Sequence, residues 1–203
     1  MPPYTTIIFD LSEVLINFVP SLGEELSGLL NIPVKAVYWA FENDQMLSYY
    51  RGLITEDEFL PTVLERLDGD ITISELKQII RRSLETQVPG LQSILEALKE
   101  NYELVLLSDH GIEWVEHVLQ VHPFLEIFDQ KYFSFDLDGI KEQPEVFERL
   151  LNEIDRQPGE CLFVDDKEHN CEIARSLGID SIRFVSAQDL IEALDKHGIT
   201  LKL

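Results

Sequence analysis

Along the chain, short runs of β-branched and other apolar residues alternate with stretches whose apolar positions recur every three to four residues. TTIIFD (5–10), ELVLLSD (103–109), FDQKYFS (128–134), CLFVDD (161–166) and SIRFVS (181–186) read as strands. LQSILEALKE (91–100), IEWVEHVLQV (112–121), PEVFERLLNEI (144–154) and HNCEIARSLG (169–178) read as amphipathic helices. Strands alternating with helices pair in parallel, so the pattern predicts an α/β fold with a doubly wound, Rossmann-like sheet.

Residues 17–88 break the alternation. They hold no strand pattern and read as helices near 21–30, 34–50, 55–67 and 73–86. Two capping boxes are legible, Thr55 with Glu58 and Thr72 with Glu75. In YRGLITEDEF a helix meets a glycine stop and then a capped restart. The α/β pattern resumes after Pro89. The expected organisation is a core unit of 1–16 and 89–203, with an inserted all-helical cap of 17–88.

Composition narrows the picture. Of 203 residues, 45% are hydrophobic, enough for a substantial core. With 38 acidic against 16 basic residues the formal net charge is −22. Such a surface disfavours nucleic acid and anionic membrane, and makes a phosphate ligand depend on a local cation. Cys161 and Cys171 lack metal-ligand spacing and suit a reducing compartment. No basic, apolar leader pattern and no run of membrane-spanning length is seen, so a soluble cytoplasmic protein is expected, monomer or homodimer.

The candidate chemistry sits where strands end. Ligands of open α/β sheets bind beyond the carboxyl ends of the strands. Asp10 follows the first strand, Ser108 closes the second, Lys141 lies in DLDGIKEQP, and Asp165 and Asp166 follow CLFV. Singly, each is most often a turn residue, a helix cap or a solvated loop lysine. Together they are what phosphoryl transfer through an aspartyl intermediate requires. A carboxylate attacks phosphorus, further carboxylates hold a hard cation such as Mg²⁺, and a hydroxyl and an ammonium grip the phosphate oxygens.

With these stretches the chain resembles the haloacid dehalogenase superfamily of hydrolases, in its helical-cap branch. IIFDLSEVLI, LVLLSDHG, SFDLDGIKEQPEVFERLL and CLFVDDKEHNCEIARSLGI resemble that family's four motifs in order. The likeness is nearest to phosphatases of small sugar phosphates, and extends to dehalogenases and the phosphatase-like domain of epoxide hydrolases. It implies Asp10 as nucleophile and Ser108 and Lys141 as catalytic phosphate ligands. Asp109 would face the substrate, and Mg²⁺ would be held by Asp10, the Ser12 backbone carbonyl, Asp165 and Asp166. The expected substrate is a small phosphorylated metabolite.

Three departures stand out. Ser12 occupies the position of the family's second aspartate, which protonates the leaving group, and a hydroxyl cannot act as a neutral-pH acid. Glu13, beside it, would point away on an extended chain. Asp109 stands where relatives often carry asparagine, so a donor becomes a charge. KEQPE stands where the family reads Lys-Pro-Asp-Pro-Glu. These departures keep two alternatives open: a catalytically degenerate relative with a binding or regulatory role, and a carbon–halogen hydrolase, whose chemistry needs no metal. In the cap, Phe18, Tyr38, Trp39, Phe41, Met46, Tyr49 and Tyr50 form an aromatic-rich stretch that packs the cap or selects substrate. Arg51 is a surface residue or an anion contact, and His110 a candidate for the pocket.

Overall fold

The computed structural model describes residues 4–202; residues 1–3 and 203, which the sequence places in the core unit, lie outside the described residues. Five strands, β1 (Thr6–Phe9), β2 (Glu103–Ser108), β3 (Gln130–Phe133), β4 (Cys161–Asp165) and β5 (Asp180–Arg183), form one parallel sheet in the order β3-β2-β1-β4-β5. The expected α/β, doubly wound architecture is therefore observed. Alternation along the strands sends side chains to two faces. Ile7, Phe9, Leu104, Leu106, Leu162 and Val164 pack into one apolar cluster, Ile8, Val105, Leu107 and Phe163 into the other.

Among the described residues six helices lie between β1 and β2; the first five are α1 (Val19–Leu30), α2 (Val34–Phe41), α3 (Met46–Tyr50), α4 (Glu56–Leu64) and α5 (Ile73–Ser83). Both capping boxes form, at the starts of α4 and α5. The single helix expected over 34–50 is instead two. Asn43 breaks it, donating to the Ala40 carbonyl and accepting the Gln45 N–H, a side-chain alternative to helical bonding. The block is tied to the sheet at Gly111, where a Cβ would lie 2.1 Å from the Tyr49 ring. Tyr49 in turn stacks on Phe59 and meets Trp114 edge-on.

The sheet is completed by α6 (Leu91–Lys99), α7 (Ile112–Val121), α8 (Pro144–Glu153), α9 (Glu168–Ser176) and α10 (Ala187–Lys196). Helix α10, capped by Ser186 on the Asp189 N–H, was not singled out by the sequence pattern. Among the described residues, no helix is long and apolar enough to cross a membrane.

Strand order reverses around β1. The chain builds outward through β2 and β3 on one side, then returns to build β4 and β5 on the other. Crevices form where connections diverge in this way, at the carboxyl ends of the central strands. Register fixes what meets there: Phe9 pairs with Val164 and with Leu106, so Asp10 emerges beside Asp165, with Ser108 just beyond on β2.

Candidate active site

The strand ends converge as the sequence implies. The Lys141 ammonium lies 2.5 Å from Asp10 Oδ1 and 2.9 Å from Asp165 Oδ2. All three residues are almost wholly buried. One oxygen of each of Asp10, Asp165 and Asp166 lies within 4.8 Å of the other two. Hydrogen bonds hold the first two in place. Asp10 Oδ1 accepts the Leu11 N–H at 2.7 Å, and Asp165 Oδ1 accepts the Lys167 N–H at 2.8 Å. The Asn170 amide donates to both Asp165 oxygens.

The charges do not balance. Taken as ionised, Asp10, Asp165 and the half-buried Asp166 outnumber by two the Lys141 ammonium, which pairs with the first two of them. Burial pushes the Asp10 carboxyl well above the usual carboxylate range, with Lys141 pulling against it and the Asp165 and Asp166 carboxylates adding to it. Burial acts on Asp165 too, but Lys141, the Lys167 N–H and Asn170 outweigh it and hold that carboxyl low. Burial opposes the charge on Lys141 as well, yet Asp10, Asp165 and Asp109 overcome it and keep the ammonium charged. A donor set made wholly of oxygen, with surplus negative charge, fits a hard divalent cation.

Asp109 lies next to this cluster, and its carboxylate accepts the Lys141 backbone N–H at 3.2–3.3 Å. It thereby orders the loop that carries the lysine where the sequence lacks the loop-stiffening proline. Glu13 is not on an extended chain. It occupies a turn with φ 59°, and its carboxylate accepts the Phe18 and Val19 N–H groups, capping α1. Burial pushes it up to about 7.

His110, a candidate for the pocket in the sequence, lines it in the structure. Its Nδ1 lies 2.8 Å from Ser108 Oγ and its Nε2 lies 3.1 Å from Ser12 Oγ. The imidazole therefore links the two hydroxyls of the site. Burial, then the Lys141 and Lys167 ammonium groups, push it down to about 3, so it is neutral at physiological pH. A short link between residues 98 apart in the chain has no signature in local sequence. Asp10, Ser12, Ser108, Asp109, His110, Lys141 and Asp166 all line one cavity of about 90 Å³. Arg51 does not reach it and instead pairs with Asp138 at 2.5 Å.

Known proteins share this framework. A family model described as haloacid dehalogenase-like hydrolase matches residues 7–184. A flavin mononucleotide hydrolase of Arabidopsis thaliana is 21% identical over 201 residues, covering 97% of this chain and 79% of that protein. A D-ribitol-5-phosphate phosphatase of Bacteroides thetaiotaomicron is 28% identical over 139 residues, 65% of this chain and 67% of that protein. An enzyme of the same family from Bacteroides thetaiotaomicron, solved with magnesium and inorganic phosphate, superposes with a TM-score of 0.75 at 23% identity, covering 94% of this chain and 98% of that one.

Proposed function

This chain belongs to the haloacid dehalogenase-like hydrolases, and on that premise we propose that it is a magnesium-dependent phosphatase of a small phosphorylated metabolite. One observation carries the reading: Asp10, Asp165, Asp166 and Lys141 meet at one sheet edge with two negative charges in surplus. The relatives named for hydrolysis of flavin mononucleotide and D-ribitol 5-phosphate support it. So does the structural neighbour solved with magnesium and phosphate. In this reading residues 17–88 form a cap over a site built from 1–16 and 89–203.

Asp10, Asp165 and Asp166, with the Ser12 carbonyl, would hold magnesium. When bound, the ion neutralises this cluster and withdraws charge from the phosphoryl oxygens. The chain's own residues do the rest. An Asp10 carboxylate oxygen attacks phosphorus while the ester P–O bond breaks, its electron pair leaving on the alcohol oxygen, which takes a proton from water. Ser108, with its hydroxyl oriented by His110, and Lys141 hold the phosphoryl oxygens through the step. A water then attacks the phosphorus of the aspartyl phosphate, returning Asp10 as carboxylate and releasing inorganic phosphate. Ser12 hydrogen-bonds to His110 and supplies no acid. Turnover of alkyl esters is accordingly slower than with an acid at that position, by about 10²–10⁴-fold.

Phosphate release from a panel of phosphomonoesters with Mg²⁺ tests the proposal. Release that is lost in chelator and in Asp10→Asn is the expected result. Release no greater than that of Asp10→Asn overturns it and leaves a binding role. Halide release from 2-haloacids that persists in chelator would point to carbon–halogen hydrolysis instead.

A further inference from the structure

The site cavity does not end at the phosphate-sized space. A second cavity of about 290 Å³ opens from it, and Glu13, Phe18, Val19, Met46, Tyr50, Asp166 and Lys167 border both. Its walls are apolar: Phe18, Leu22, Phe41, Met46, Tyr50 and Trp114, drawn from α1, α2, α3 and α7 and the turn before α1. The aromatic stretch of the helical block is thus sorted by the fold. Tyr49 is wholly buried, and Trp39 turns outward under the Arg66 guanidinium. The other five, Phe18, Tyr38, Phe41, Met46 and Tyr50, face this space.

Charge defines what can enter. Among the described residues lining the second cavity, the charged ones are three carboxylates, Glu13, Glu42 and Asp166, and one ammonium, Lys167 at the border with the polar site. Arg51 and Arg66 are engaged elsewhere, with Asp138 and with the Trp39 and Glu42 carbonyls. A second phosphate or carboxylate on the substrate would meet carboxylates and aromatic faces with no cation of its own. A hydroxyl-rich chain would find partners only at the scattered carboxylates and the Tyr38 and Tyr50 phenols, and would lose water along the Phe18, Leu22, Phe41, Met46 and Trp114 faces. An apolar group would bury against surface of its own kind.

We propose, building on the phosphatase reading, that this chain selects phosphomonoesters whose alcohol is apolar and uncharged, the alcohol lying in the Phe18–Phe41–Met46–Tyr50–Trp114 cavity and the phosphate at Lys141. The site rejects substrates that carry a second anionic group.

Non-hydrolysable phosphonates separate binding from turnover. Calorimetry on the Mg²⁺-loaded protein compares 2-phenylethylphosphonate, methylphosphonate and phosphonoacetate. The phenylethyl compound is expected to bind more tightly than methylphosphonate by about tenfold or more, and phosphonoacetate no more tightly than methylphosphonate. The phenylethyl-to-methyl ratio is expected to collapse towards one in Met46→Glu. Tyr38→Ala, at a half-buried residue that lines the apolar cavity but not the phosphate-sized one and packs on Gly23 of α1, is expected to lower it in the same direction with folding intact, as the unfolding transition checks. Methylphosphonate binding without any gain from the phenylethyl group overturns this inference and leaves the phosphatase reading standing, as does tightest binding by phosphonoacetate. Failure of all three to bind overturns both.

Discussion

Two buried ion-pair clusters occupy the described chain, and they are built on opposite terms. Among the helices, Glu56 is 2% exposed, and both its oxygens are taken up. Arg81 holds it bidentately at 2.8–2.9 Å, the Trp114 indole N–H donates at 2.7 Å, and Lys77 lies 3.3 Å away. Two carboxylates there, Glu56 and its neighbour Asp57, which holds Lys77 at 2.8 Å, face two cations. At the sheet edge one ammonium pairs with two of three carboxylates, and the third, Asp166, takes a hydrogen bond only from its own backbone N–H among the described residues. The first cluster is complete as it stands and fastens α4, α5 and α7 together. The second is complete only with a further cation. A buried ion pair by itself is weak evidence of either stability or function; the charge sum and the unmet acceptors tell the two apart.

The largest effects come from removing a partner in each cluster. Lys141→Met leaves Asp10 and Asp165 without their shared cation and is expected to destabilise the metal-free protein by about 4 kcal/mol. Glu56→Gln, which sets an amide N–H against the Arg81 guanidinium, is expected to cost about 3 kcal/mol. Magnesium distinguishes them. Saturating Mg²⁺, at a hundred times its dissociation constant, stabilises a folded binder by about 2.7 kcal/mol. It is expected to stabilise Lys141→Met relative to its metal-free form by more than the increment seen in the unsubstituted protein, because the ion no longer competes with an ammonium for Asp10 and Asp165. In Glu56→Gln the increment stays the same and leaves the defect in place. Denaturant midpoints with and without Mg²⁺ read this directly, and equal rescue of both variants would erase the contrast.

Much of this architecture is legible in sequence because its signals are local. The strands declare themselves as β-branched runs ending in Asp10, Ser108 or Asp165, and both capping boxes sit where Thr55 and Thr72 precede glutamates by three residues. The site residues are legible for the same reason, each lying at a strand end or in the loop after β3. What was not legible depends on partners distant in the chain. At the break between α2 and α3, Asn43 bonds locally to Ala40 and Gln45, and its distant partner is Thr62 of α4. The fate of Tyr49 needs Gly111 to yield space, and Glu56 needs Trp114 from another helix. The Ser12–His110–Ser108 link needs the turn after β1 to lie over the end of β2. Seven aromatic or sulfur-bearing residues with similar spacing met three different environments, and periodicity alone could not divide them.

Glu13 sharpens the comparison from a third direction, as a half-buried carboxylate that has hydrogen bonds but no ion-pair partner among the described residues. Burial raises it from 4.5 to about 7 in spite of the Val19 and Phe18 N–H groups. The sign follows from linkage. The folded protein holds this proton more tightly than the unfolded chain, so the cost of ionising it is absent below about pH 4.5, grows as pH rises, and is complete above about pH 7. The full cost is about 3 kcal/mol. Glu13→Gln keeps an acceptor for the α1 N–H groups and carries no charge. In chelator it is expected to match the unsubstituted protein near pH 4 and to exceed it in stability at pH 8. A stability difference independent of pH would show that Glu13 is not the titrating group.

The smallest effect is the most diagnostic, because its sign is at stake. Neutralising a buried carboxylate in a balanced cluster strands its cations, as in Glu56→Gln. Neutralising Asp10 removes charge from a cluster with too much of it, and Lys141 keeps Asp165 at 2.9 Å. The Asp10 carboxyl is already pushed towards its protonated form by burial and by its acidic neighbours. An amide at that position keeps the acceptor for the Leu11 N–H and loses only part of the Lys141 attraction. In chelator, Asp10→Asn is therefore expected to leave stability unchanged or to raise it, by about 1 kcal/mol. The same substitution weakens the response to Mg²⁺, because one of the three oxygen donors becomes neutral. Thermal unfolding of the two variants in chelator and in Mg²⁺ measures both quantities. Loss of stability in metal-free Asp10→Asn comparable to that in Glu56→Gln would mean that the sheet-edge cluster is a structural ion pair like its counterpart among the helices, and the case for a cation there would fall.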